Sequence, residues 1–160
     1  MSNPYQPSSV IPEPVETGLE YVGFGARVLA SIIDTLLTML VTVPIMLLYM
    51  GDAYWDDQRY INGGVGFLVE WLLPAAAVIA FWLARQATPG KMVIGAKVVD
   101  ATTGLPLKPG QAILRYLGYF VSTIPLFLGL LWVAFDTRKQ GWHDKIANTV
   151  VIRGKWPGQS

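Results

Sequence analysis

Five residues mark one face of an otherwise apolar run. Arg27, Ser31, Asp34, Thr38 and Thr42 are spaced by 4, 3, 4 and 4. On a helix this spacing puts all five on one side, with Leu, Ile, Val and Met on the others. A carboxylate among hydroxyls is the chemistry of a proton or small-cation site. The same residue types also serve as packing glue between membrane helices. An ionised Asp in hydrocarbon costs roughly 2.5–3.5 kcal/mol, so the stripe is expected to face protein or a watery cavity. Helix rise puts Asp34 roughly 10 Å deep, two turns from Arg27. Arg27, at the boundary, is expected to snorkel to the headgroups. The expected partner of Asp34 is Arg115, at similar depth in a later apolar stretch. Arg115 shares a face with Gly118, Ser122, Pro125 and Gly129, which suits close docking on the first helix. Glu70 is a second acid, about 10 Å from the depth of Asp34, and is expected near the outer interface within reach of water.

Other chemistry is sparse. The chain has no Cys and one His, which excludes thiolate nucleophiles and multi-histidine metal sites. Thr88-Pro89-Gly90-Lys91 is not a phosphate loop. It reads as a turn, with Lys91 as a cytoplasmic anchor. The segment from Asp136 to Asp144 is the densest polar cluster, but its His143-Asp144 pair has no Ser or Cys elbow. Trp142, beside basic residues, suits an interfacial anchor. The expectation is a protein that is not an enzyme and needs no cofactor or metal.

The elements that must position these residues are membrane segments. Of the 160 residues, 52% are hydrophobic and 14% charged, against about 25% charged in soluble domains. Residues 28–50 contain Asp34 as their only charge, residues 66–84 only Glu70, and residues 112–135 only Arg115. A span needs about 20 apolar residues, so each stretch is long enough. The fold class expected is an all-α membrane protein with two clear transmembrane helices, 28–50 and 66–84. A third segment, 112–135, spans or re-enters the membrane. MVIGAKVVD, ATTG and LPLKPG read as strand, turn and extended piece, a small cytoplasmic β-like element. Residues 1–20, with four Pro, three acids and no basic residue, read as a disordered tail rather than a secretory signal. Residues 154–160 form a C-terminal tail.

Basic loops face the cytoplasm. The connection 85–111 carries four basic residues and one Asp, and 51–65 carries three Asp and one Arg, flanked by Tyr49, Tyr54, Trp55 and Tyr60. The N-terminus is therefore expected inside. A complete third span would strand the basic C-terminal tail outside. Ser122-Thr123-Ile124-Pro125 offers a resolution, because Pro interrupts a helix and disfavours it in the preceding residue. Two half-helices would then enter and leave on one side, covered by protein or water at depth. Pairing of TVVIR with VIGAKVVD also requires both on one side.

Four blocks in order, GFGARVLASIIDTLL, TPGKMVIGAKVVDATTG, ILRYLGYF and FDTRKQGWHDKIANTVVI, resemble the RDD family of bacterial membrane proteins over about residues 21–153. The resemblance assigns the family's Arg to Arg27 and its first Asp to Asp34. Its second Asp falls on Asp144 or Asp136, with Asp144 preferred. It implies a multi-pass protein of the bacterial plasma membrane. Transport roles have been proposed for some members, so small-solute or proton- or sodium-coupled transport is one expectation. The alternative is a structural or partner-binding protein whose charges fix helix packing. Membrane lipids and a second copy of the chain are the expected partners, and nucleic acid is not.

Overall fold

The structure, a computed structural model, describes residues 19–51 and 64–156. Most of the N-terminal tail, most of the acidic connection with Tyr54, Trp55 and Tyr60, and the final residues 157–160 lie outside the described residues. Two helices are long and apolar enough to cross a membrane: α1, Phe24–Met50, and α2, Gly64–Arg85. Each begins and ends within a few residues of its expected position. Within α2, Leu68–Leu72 form a π turn just before Pro74. A Pro ring clashes with the carbonyl four residues back, here that of Glu70, and a widened turn relieves the clash. The one-turn helix α3, Pro89–Val93, follows α2 directly.

The third apolar stretch is broken. Helix α4, Pro109–Thr123, meets α5, Leu128–Ala134, at a bend of 113°. The reversal occurs where the Ser-Thr-Ile-Pro signal places it, with Leu126 and Phe127 at positive φ. Gly129 is essential to this close approach: a Cβ there would lie 2.6 Å from Ser122 Cα. A last short helix, α6, Trp142–Ile146, then packs back along α4.

The β-like element is a three-stranded antiparallel sheet in the order β1-β3-β2. Strand β2, Lys97–Asp100, pairs with β3, Thr149–Arg153, through Val98↔Val151 and Val99↔Val150. The expected VVD–TVVIR pairing is thus present. It is joined by β1, Glu20–Tyr21, a strand not anticipated, which pairs Tyr21 with Ile152. Side chains alternate across strands. Val98 and Val151 face a core with Val22, Trp82, Ala96, Leu107 and Ala112. Val99, Val150 and Ile152 face Leu19, Tyr21 and Trp156 instead.

The sheet gathers the start of α1, the α2–α4 connection and the end of the chain at one end of the helices. The α4–α5 stretch therefore leaves and returns to the same end. Cysteines introduced at the exposed positions Glu20, Lys97 and Lys155 should label from one side of sealed vesicles. Labelling of position 155 from the opposite side to position 97 would contradict this arrangement.

Candidate functional site

Asp144 is fully buried on α6, and its carboxylate is shared by two guanidiniums. Arg27 Nη1 donates to Oδ2 at 2.6 Å, and the Gly141 backbone N–H donates to the same oxygen at 2.9 Å. Arg115 Nη1 donates to Oδ1 and also to Thr149 Oγ1. The remaining donors of Arg27 go to backbone carbonyls, Nε to Val22 at 2.9 Å and Nη2 to Lys139 at 2.5 Å. Arg115 lies with its guanidinium carbon 5.2 Å from the centre of the Trp82 ring. Two cations against one anion leave excess positive charge, which carbonyl dipoles and the Trp82 ring face help to offset. Burial opposes ionisation of Asp144, but Arg115 and Arg27 overcome it and hold the carboxyl well below the usual carboxylate range.

His143 sits beside this cluster. Its ring stacks on Tyr119 at 4.0 Å between centres, and its backbone N–H donates to Ser122 Oγ at 3.0 Å. A Cβ on Gly118 would lie 2.8 Å from His143 Cα, so only glycine permits α6 to lie this close. Burial pushes the imidazole down to about 3, against the pull of Asp144 and with the help of the nearby Arg115, Arg27 and Lys91 charges. It is neutral at physiological pH.

Three sequence expectations are corrected here. Arg27 does not snorkel: it is 9% exposed and fully engaged. Arg115 does not pair with Asp34, because its face of α4 turns towards α6 rather than α1. The small-residue face docks accordingly, Gly118 on His143 and Gly129 on Ser122, and not on the first helix.

Asp34 has a different environment. Its Oδ2 accepts from Thr88 Oγ1 at 2.5 Å and its Oδ1 from the Gly90 backbone N–H at 2.7 Å. It therefore caps the first turn of α3 with neutral donors, and it forms no ion pair among the described residues. A Cβ on Gly90 would lie 2.0 Å from the Ala30 carbonyl oxygen, so glycine is required for α3 to reach α1. Thr38 Oγ1 turns back on the Asp34 carbonyl at 2.8 Å.

The polar stripe faces space, as expected. A cavity of about 570 Å³ lies between α1, α2, α3 and α4. Ser31, Asp34, Thr38 and Thr42 line it from α1, with Glu70 and Lys91 opposite. Glu70 is thus a wall residue of the cavity, its Oε1 buried and without a hydrogen-bond partner among the described residues. Lys91 is only 6% exposed and is not a surface anchor. Sequence reasoning missed Thr88, Gly90 and Lys91. The available signal was Thr before Pro, the usual opening of a helix, which supplies donors to an anion. Asp136 lies apart from both clusters, bonded to Lys145 at 2.5 Å and to the backbone of Arg138 and Gln140.

A model of the RDD family matches residues 21–148. A protein named proline-rich antigen homolog from Mycobacterium tuberculosis is 37% identical over 95 residues, 55% of this chain and 40% of its own length. The proline-rich antigen of Mycobacterium leprae is 28% identical over 128 residues, 78% of this chain and 51% of its own. An uncharacterised protein of Bacillus subtilis is 27% identical over 146 residues, 81% of this chain and 95% of its own. The chain thus spans about half or less of the mycobacterial relatives. No solved structure matches it.

Two predictions follow from the buried cluster. Asp144→Asn should lower unfolding stability in detergent by about 3–5 kcal/mol, because two guanidiniums lose their counter-charge. Asp136→Asn should cost about 1 kcal/mol or less, since its partner Lys145 is exposed. The second concerns pH. The unfolded imidazole takes up a proton near pH 6.5 but the folded one only near pH 3, so stability should fall as pH drops through that window. The His143→Phe variant should lose about 1.4 kcal/mol per pH unit of this slope. An unchanged slope would show that His143 is not buried as the neutral form.

Proposed function

The chain belongs to the RDD family, and from the way its charges are divided we infer a bacterial plasma-membrane protein that binds and moves a proton or sodium ion at Asp34. One observation carries this reading: Asp34 lines a polar cavity without a direct ion pair among the described residues, because both arginines are committed to Asp144 and Lys91 reaches it only through the Thr88 hydroxyl. An Asp paired with Arg is a poor cation ligand. An Asp held by a hydroxyl and an amide has lone pairs left over. Ser31, Thr38 and Thr42 add oxygen donors along the same wall, and Glu70 adds a second carboxylate about 10 Å further from the sheet by helix rise.

The same reading places the sheet and N-terminus in the cytoplasm, with the basic residues there facing anionic headgroups. The α4–α5 bend is then a re-entrant element entering from that side. The protein works without enzymatic chemistry. Three short segments enclose little volume, so a homo-oligomer is expected to complete the path.

A structural role for Asp34 is the rival, favoured by its bonds from Thr88 and Gly90, which tie α1 to α3. The two separate in proteoliposomes. Under the cation reading, Asp34→Asn weakens gradient-driven uptake by roughly 10–100-fold, the equivalent of about 1.5–3 kcal/mol of charge-assisted binding. Its thermal stability changes little, since Asn keeps a carbonyl acceptor. A large fall in stability, with proton, sodium and potassium fluxes equal to those of protein-free liposomes for the parent chain, leaves the structural role in possession.

A further inference from the structure

We propose that the fissure between α1 and α5 binds an anionic phospholipid, with its phosphate on Lys91 and one acyl chain between the helices. Lys91 is buried, yet its one hydrogen bond, to Thr88 Oγ1, is 3.4 Å long. It forms no ion pair among the described residues. An ammonium has three donors, and leaving it buried without an anion is costly. The carboxylate of Asp34 already accepts from Thr88 and Gly90. Lys91 meets that carboxylate only through the shared Thr88 hydroxyl, so the ammonium keeps donors for an anion from outside the chain.

The fissure supplies the route. It has a volume of about 550 Å³, and Lys91 lies on its wall as well as on that of the polar cavity. Its polar end holds Arg27, Ser31, Lys91 and His143. Of these, Arg27 is spent on Asp144 and two carbonyls, and His143 is neutral, which leaves Lys91 as the cation at this end without a direct anion among the described residues. From Ser31 to Met39 the α1 wall runs about 12 Å by helix rise, facing Phe127, Leu130 and Leu131 of the α5 hairpin. One charged end and a long apolar wall match an amphiphile, not a small solute. The headgroup end also lies at the level of the sheet, where Lys97, Lys108 and Lys145 are exposed. The arginine cluster alongside has a positive excess. Both favour a lipid of net negative charge over one whose own ammonium cancels its phosphate.

Native mass spectrometry of the purified full-length chain tests this, with dioleoylphosphatidylglycerol and dioleoylphosphatidylcholine as probes. The expected result is preferential retention of phosphatidylglycerol. Lys91→Met should reduce it to the level of phosphatidylcholine, Lys91→Arg should preserve it, and Lys97→Met on the exposed side of β2 should leave it unchanged. Leu130→Trp, which fills the fissure and leaves Lys91 intact, should displace both lipids, so the test holds even where Lys91→Met fails to fold. Equal retention of the two lipids, or phosphatidylglycerol undiminished in Lys91→Met, overturns the proposal. Displacement of phosphatidylglycerol by millimolar inorganic phosphate would also overturn it, assigning the site to a free oxyanion. Lipid retention is read without any flux, so this inference and the cation reading fail separately.

Discussion

The fold depends on one carboxylate. Asp144 is reached by Arg27 from the start of α1 and by Arg115 from α4, while Arg115 also bonds Thr149 at the start of β3. One anion therefore ties two distant elements, α1 and α4, to the α6–β3 end of the chain. A single carboxylate can do this because its two oxygens offer about four acceptor positions. The arrangement is stable only as a unit. Removal of the anion leaves two buried cations facing each other, whereas removal of one arginine still leaves a paired charge. The cost of a buried pair is thus distributed unequally among its members.

This cluster also decides what Asp34 is free to do. Arg115 enters the apolar region at a depth where it could serve either acid. Gly118 settles the choice, because its missing side chain lets α6 press against α4 and bring Asp144 to Arg115. Asp34 is left to the donors of Thr88 and Gly90, with Lys91 reaching it through the Thr88 hydroxyl. A glycine on one helix thereby determines the electrostatic state of an acid on another. The stripe on α1 is consequently two things. Its Arg27 end is a structural bolt, and its Asp34–Thr42 length is a cavity wall.

Much of this was legible in the sequence. Segment lengths followed from hydropathy, and the break at Ser122–Pro125 followed from the lost backbone donor of Pro. The pairing of β2 with β3 followed from two β-branched runs that had to share a side. The stripe was expected to face protein or a cavity, because a helix has a fixed period: Arg27 faces protein, and Ser31, Asp34, Thr38 and Thr42 line the cavity. Partner choice was not legible. Depth and helix face narrow the partners of Arg115 but do not separate Asp34 from Asp144, since Asp144 lies on a short helix with no periodic signal. Lys91 was misread for a related reason. A lysine after a span ordinarily reaches water, and only the one-turn helix α3, folded back on Ala30, turns it inward.

The distribution of packing along α1 gives these charges a mechanical setting. Only 11% of its most apolar window is buried within the chain. At its sheet end it is held by Arg27, by β1 and by Gly90 against Ala30. Beyond Asp34 it borders the polar cavity and the fissure, but it also meets the π turn of α2, and Thr42 and Met46 are buried there. α1 is therefore held near both ends, with the open space bordering the stretch between them. Asp34 lies on that stretch, where α1 is tied to α3. Neutralising or ligating it acts on its bonds to Thr88 and Gly90, which join α1 to α3. An ion at Asp34 and a lipid at Lys91 would therefore act on the same junction, one from each side of Thr88.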